Sequence, residues 1–405
     1  MSSDMPDKPV FAHLCTWFRT RGHSGWWEMW ESSFEPTPHD PERVRVNGQR
    51  DIAARDYPLT DVYDSADAHL IEFQLLLMRL AGIDGVIVDW DGRRLNPYRH
   101  EALMKLVAHL DAFGMKLALC FEEWCGYWPP GTFADRDAEI AAAQAEAQWM
   151  MDELAARPCY AQVRGSKPVF VFRKKPKQWF SPKEWDRVRR PIHDGGGALI
   201  FPPDADEAFA PLVDGRFFWV GGFEAERRFS SLDHARSRYA AFLDGARNVA
   251  SRTDPPLVFG SVVPGFDDTP VWGWGRLPRS APRYEGERFR LMWEMSIEHE
   301  VDAVQIVTWN DWNEGSHIEP SDHFGYAYLE MNKAYAARFK GVTDDVPDAA
   351  LRLPLEIYRR RKAVEGDGAR GVAHSELDEA RAALLAGAYD QAQRILESSG
   401  KVLQK

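Results

Sequence analysis

Residues 304–320 read V-Q-I-V-T-W-N-D-W-N-E-G-S-H-I-E-P. The first half is a β-branched apolar run, the pattern of a strand buried on both faces. Trp309, Asn310, Asp311, Trp312, Asn313, Glu314, His317 and Glu319 then arrive within eleven residues. Polar groups that close to a core must each find a partner, so a buried strand ending in such a burst points to function over stability. Parallel α/β barrels place their reactive side chains at the C-terminal ends of their strands, and this stretch is expected to be one such end.

Asp311 and Glu314 carry the chemistry in this reading. If the chain turns helically after the strand, side chains three apart are neighbours, with Cβ atoms about 5–6 Å apart. Like charges held that close favour one protonated and one ionised carboxyl, which is an acid and a base in one site. Trp309 and Trp312 are expected to offer flat apolar faces to a sugar ring, with Asn310 and His317 bonding its hydroxyls. A bare D-x-x-E is a weak signal; the strand before it and the two indoles around it give it weight.

The same grammar recurs along the chain. Val10 to Phe18 reads as a first strand ending near Trp17, followed by a long loop rich in tryptophan and proline. Asp64 or Ser65 is expected to cap a helix running to Ala81, with Leu70, Phe73, Leu76, Leu77 and Leu80 as its stripe. G-I-D-G-V-I-V-D-W then gives a second strand ending in Asp89 and Trp90. Met115–Phe121 ends in Glu122, Glu123 and Trp124, and Lys167–Phe172 ends in Arg173. Ala198–Pro202 leads to Asp204, Arg216–Phe223 to Glu224, and Pro256–Val263 to Asp267 and Asp268. Helices are expected over 100–113, 137–157, 182–193, 232–251 and 286–298. Eight short apolar strands alternating with helices predict an α/β fold, the closed (β/α)8 TIM barrel, with these strand-end residues converging on one rim. Trp90 and Trp124 are expected to line the cleft as sugar platforms.

The run T-W-N-D-W-N-E-G-S-H-I-E-P resembles the last-strand signature of glycoside hydrolase families 71 and 99, (β/α)8 barrels that include α-1,3-glucanases and endo-α-mannosidases. Family 99 has N-E-W-H-E-G-T-Q-I-E-P, so Asp311 stands where that family has its first glutamate and Asn313 where it has histidine. Thr308 to Asp311 with Glu314 is similar to the T-W-N-D-Y-x-E of family 71. Y-D-S-x-D with A-G-I-D-G-V-I-V-D-W, and V-V-P-G-F-D-D-T with Arg283 and Gly286, resemble further parts of the same group, over residues 10 to about 335. The resemblance implies a glycoside hydrolase cleaving α-linked glycans, of endo-α-mannosidase or α-glucanase type, with Glu314 as general acid and Asp311 as the second carboxylate. It also implies that family 99 retains anomeric configuration through the sugar's own 2-hydroxyl and family 71 inverts it through water. The shorter Asp311 leads us to expect inversion.

The chain has 405 residues, 44% hydrophobic and 28% charged, which suits a soluble globular protein. A net charge of −12 argues against nucleic acid or an anionic membrane as partner, and no run is apolar enough to span a bilayer. The N-terminus lacks the features of a signal peptide, giving a cytoplasmic expectation for the chain as it stands, a trimmed secreted form being equally compatible. Cys15, Cys120, Cys125 and Cys159 read as small buried hydrophobes. Neither a cofactor motif nor H-x-H or H-E-x-x-H is present, so no metal is expected and a metal-dependent hydrolase is disfavoured. The remaining alternatives are a carbohydrate-binding barrel without turnover and a polysaccharide-biosynthesis-associated protein. Residues 1–340 are expected to form the barrel and 341–405 a linker and helical extension. The linker comprises D-V-P-D, the basic run Tyr358–Lys362 and E-G-D-G-A-R-G. The extension includes a tetratricopeptide-like half-hairpin that packs on the barrel or supports a homo-oligomer.

Overall fold

The computed structural model describes residues 6–94, 96–123, 131–172, 180–202, 207–220, 230–248, 251–367 and 372–400. Eight parallel strands close into a barrel: β1 (Val10–Leu14), β2 (Gly85–Trp90), β3 (Lys116–Glu122), β4 (Lys167–Phe172), β5 (Gly197–Phe201), β6 (Gly215–Phe217), β7 (Leu257–Val262) and β8 (Ala303–Ile306). Each strand pairs with its neighbours in sequence, and β8 closes on β1 through Val10↔Val304, Phe11↔Gln305 and Ala12↔Ile306. The strands named in the sequence are all present. The first is shorter than expected, because beyond Leu14 the backbone of Cys15 bonds to the Asn310 side chain and leaves the ladder. Of the segment expected as the sixth strand, Gly215–Phe217 is strand and 221–229 lie outside the described residues.

Alternation along each strand decides what points where. Phe11, Ile87, Ala118, Cys120, Phe170, Ala198, Ile200, Phe217 and Phe259 fill the barrel interior. Gly85 must lack a side chain, since a Cβ there would lie 2.7 Å from the Lys116 carbonyl and 3.0 Å from the Phe11 ring. The intervening residues, such as Val86, Val88 and Trp90, face the helices.

Those helices are α1 (Ala68–Leu80), α2 (Pro97–Leu110), α3 (Arg136–Trp149), α4 (Pro182–Val188), α5 (Leu232–Ala246), α6 (Glu287–Glu298) and α7 (Ala327–Lys340). The cap of α1 is Asp67, which accepts from the His69 N–H at 2.9 Å. Asp64, expected there, instead accepts from the Thr20 and Ala66 N–H groups and from the Tyr98 hydroxyl.

The basic run expected as linker is helical. It lies in α8 (Leu353–Asp367), followed by α9 (Val372–Leu385) and α10 (Tyr389–Gly400). Leu355, Ile357, Tyr358 and Val364 are buried, an apolar face that the arginines hide in the sequence. This face covers α1, which is why α1 is buried nearly all round and not along a single stripe. Arg361, buried in that seam, grips Glu72 of α1 at 2.5 and 3.1 Å and Asp378 at 2.7 Å, with Arg381 also on Glu72 at 2.8 Å. The extension therefore packs in cis. Among the described residues no helix is long and apolar enough to cross a membrane.

Removing one member of a buried ion pair strands its partner. Arg361→Met should lower unfolding free energy by about 2–3 kcal/mol, somewhat below the usual figure for such a loss because Arg381 still holds Glu72. Urea unfolding reads this; a change under about 0.5 kcal/mol, the range of ordinary surface substitutions, would show that the seam does not stabilise the barrel.

Candidate active site

After β8 the chain makes a single tight turn, the expected helical start without a helix behind it. Asp311 N–H donates to Thr308 Oγ1 at 2.8 Å, and Asp311 Oδ1 accepts from Glu314 N–H at 3.1 Å. Asp311 thus caps the turn that carries Glu314. Gly315 ends it at φ +59°, with its Cα side against the Asp267 backbone, where a Cβ would lie 3.2 Å from the Asp267 carbonyl. The Asp267 N–H in turn donates to the Glu314 carbonyl at 2.7 Å. Asp311 is buried and Glu314 half-buried.

The barrel order places the ends of β8, β1, β2 and β3 side by side. The Cys15 thiol reports what gathers there. Burial pushes it well above the usual thiol range, and the charges of Asp311, Asp89, Glu314 and Glu122 push it further the same way. Four of the expected carboxylates therefore converge. Asp89 points inward, and its Oδ1 is hydrogen-bonded to His13 Nε2 at 2.8 Å. Cys120 lies below them, its thiol raised by burial and then by Asp89 and Glu122. His13, Asp89 and Cys120 each bring one potential metal-ligand atom to within 4.8 Å of the others; the His13–Asp89 contact already serves as a hydrogen bond within this buried layer. Cys15 and Cys120 are buried as expected but line the carboxylate cluster, while Cys125 lies outside the described residues.

Behind the turn is a buried network. Asn310 bonds both the N–H and the carbonyl of Cys15, at 2.8 and 2.9 Å, and donates to the Tyr63 hydroxyl at 3.1 Å. Tyr63 donates to Glu319 Oε2 at 2.7 Å, Trp312 Nε1 donates to the Tyr63 hydroxyl at 2.8 Å, and Gln74 donates to Glu319 Oε1 at 2.9 Å. Burial raises the Glu319 carboxyl from its ordinary 4.5 to about 7 against the pull of these donors. His317, stacked on Trp312 at 4.0 Å, is held neutral, its pKa pushed well down by burial first and by Arg283 and His323 next. Arg283 donates to the carbonyls of Gly315 and His317 at 3.0 and 2.8 Å.

Several expectations need correction. Trp309, Trp312 and Trp90 are fully buried and offer no face to a sugar. Trp90 falls on the outward parity of β2 and packs against Phe121 and Trp149, at 5.9 and 5.6 Å. Asn310, His317 and Glu319, expected to contact substrate, are buried, and Asn310 and Glu319 are bonded to protein groups of the supporting network. Glu123 also faces outward, accepting from Trp185 Nε1 at 2.6 Å. Asp268 is buried and paired with Arg279 through bonds at 2.9 and 2.8 Å, while Asp267 meets Arg55 at the rim. Trp17 is half-buried beneath Arg99. Trp124, Arg173, Asp204 and Glu224 lie outside the described residues. Sequence reading missed Tyr63 and Trp274. The signal for Trp274 was present in V-W-G-W-G, residues 271–275: indoles beside glycines in the loop before the last strand.

The folded pKa of Glu319 lies above its unfolded value, so between about pH 4.5 and 7 the native state binds more protons than the unfolded chain, and stability falls as pH rises through that window. Glu319→Gln keeps the shape, lets Gln74 turn its amide to match and removes the titration. The drop in melting temperature from pH 5 to pH 8 should be smaller in the variant than in the parent; an equal drop would place the titrating group elsewhere.

The model of glycosyl hydrolase family 99 matches residues 7–337. No curated protein gives a sequence match. Among solved structures, the GH99 endo-α-mannosidase from Bacteroides thetaiotaomicron superposes with a TM-score of 0.61 at 19% identity, covering 84% of this chain and 99% of that one. A structure of the enzyme from that organism with Bis-Tris propane gives 0.59 at 18%, covering 84% and 98%. A glycoside hydrolase-like protein gives 0.56 at 13%, covering 83% and 95%. At these identities the superpositions establish the barrel fold, while kinship to family 71 stays an expectation from the sequence. The family match begins ahead of β1 and ends within α7, so it takes in all eight barrel strands and the carboxylate turn, and the chain belongs to glycosyl hydrolase family 99.

Proposed function

We propose that this family 99 glycoside hydrolase cleaves internal α-linkages of a glycan, with α-mannosides the first substrate class to test. The observation that carries the reading is the turn after β8, where one carboxylate caps the segment that presents the other. The α-mannoside choice is supported by the name of the family 99 enzyme whose barrel this one matches. Glu314, the more exposed of the two, is the general acid, and Asp311 is the base. Asp89 and Glu122, at the ends of β2 and β3, are the carboxylates we read as accepting hydrogen bonds from sugar hydroxyls; that both act on Cys15 together with Asp311 and Glu314 supports this. The glycan is the partner of this site. The chain's negative charge disfavours nucleic acid and anionic membranes.

Asp311 is one methylene shorter than the glutamate of the family signature, and its Oδ1 is tied to the Glu314 N–H. Both features favour a carboxylate that acts on a bound ring through a water, as the shorter side chain led us to expect. We therefore read the reaction as inverting, with Asp311 activating that water and Glu314 protonating the leaving oxygen.

Glu314→Gln keeps the shape and removes the proton, so kcat on an unactivated α-mannooligosaccharide should fall by about 10²–10⁴-fold, with glycan binding retained. Retention of more than about a tenth of kcat would overturn the acid assignment. Proton NMR of the first turnovers checks the stereochemistry: a β-anomer released first supports inversion, and an α-anomer rejects it. A panel of α-linked oligosaccharides of which none releases a reducing end would favour a binding barrel without turnover.

A further inference from the structure

Trp274 is 38% exposed, and its Nε1 donates to Glu314 Oε1 at 2.8 Å. It is the third of four consecutive residues at positive φ: Trp272 at φ 40°, Gly273 at φ 56°, Trp274 at φ 55° and Gly275 at φ 79°. Side-chain-bearing residues seldom adopt this conformation, and it persists only where surrounding contacts impose it. Here they do. Asp268 is buried and clamped by Arg279, and its carbonyl accepts from Gly273 N–H at 2.8 Å. Phe34, from the long insertion after β1, meets the Trp274 ring edge to face at 6.1 Å. A strained loop is thus built to hold one half-exposed indole against the carboxyl that we read as the acid.

An indole N–H is only a donor. When Glu314 holds the proton that an acid must donate, the oxygen that accepts from the indole is the unprotonated one, and the proton is on Oε2. Bond cleavage then needs Oε2–H directed at the glycosidic oxygen. The proton passes to that oxygen as the C1–O electron pair moves onto it, water adds its oxygen to C1, and its second proton goes to Asp311. Whatever lies on the flank of the acid lies beside the departing sugar.

Building on the acid assignment above, we propose that Trp274 forms the leaving-group subsite: its N–H orients the Glu314 carboxyl, and its exposed ring takes the C–H face of the sugar that departs.

The test compares an α-linked oligosaccharide with the glycosyl fluoride of the same non-reducing portion, whose leaving group has no ring to stack and needs little proton assistance. Trp274→Ala should lower kcat/KM on the oligosaccharide by about 10²-fold, through both KM and kcat, and leave the fluoride within about threefold. Trp274→Phe keeps an aromatic face and loses the N–H, so it should hold KM within about threefold and lower kcat about tenfold. Equal losses on both substrates, or none on the oligosaccharide, would overturn the proposal. If Trp274→Ala unfolds, Trp274→Gly replaces it, since glycine suits the left-handed backbone. Glu314→Gln is run alongside. If it stays active on the oligosaccharide, the acid assignment fails. If it is inactive there, and Trp274→Ala matches the parent on both substrates, the proposal about Trp274 fails alone.

Discussion

Asn310 ties the end of β8 to the chain leaving β1, and the site depends on that tie. Its amide satisfies both backbone groups of Cys15 at 2.8 and 2.9 Å, where the β1–β8 ladder has stopped. Without such a partner those groups would sit buried and unpaired, at a cost of about 1–3 kcal/mol each. The tie also sets the register of the turn, so Asp311 and Glu314 leave the barrel beside Asp89 and Glu122. Tyr63 extends the same network into the insertion after β1, and Asn313 fastens that insertion again by donating to the carbonyls of Met29 and Ala53, at 2.7 and 2.8 Å.

The polar richness of residues 309–319 thus divides into two layers. Asp311 and Glu314 are the pair we propose as reactive, and Asn310, Trp312, Asn313, His317 and Glu319 are buried around the turn that carries them. Fixing a reactive carboxyl this way removes its freedom before substrate arrives, which is where orientation contributes to rate. Glu319 fits this role: a buried carboxyl with donors on both oxygens is a rigid post, and titration near neutrality follows from its burial.

The barrel was legible because its strands are short β-branched runs with helices between them, and closure at eight follows from that alternation. The turn that carries Asp311 and Glu314 was legible because it follows a buried strand. The aromatic roles were less so, since tryptophan looks the same in sequence whether it packs or binds. Parity would have helped: Asp89 and Trp90 are adjacent, so only one can face the interior, and Ile87 already fixes which. Trp309 and Trp312 follow the strand, in irregular chain where no parity rule applies. The α8 helix was hidden for another reason, its arginines masking an apolar face whose partner, α1, lies nearly three hundred residues earlier; Arg361 and Glu72 are 289 positions apart.

The central claim is that the glycosidic bond breaks between the two carboxylates of the β8 turn. A crystal structure of the Glu314→Gln protein with an uncleaved α-linked oligosaccharide tests it most directly. The scissile oxygen is expected about 3 Å from the residue 314 side chain, with the sugar carbon it leaves facing Asp311. A glycan bound with its glycosidic oxygens against Asp89 and Glu122 alone, out of reach of the turn, would contradict it.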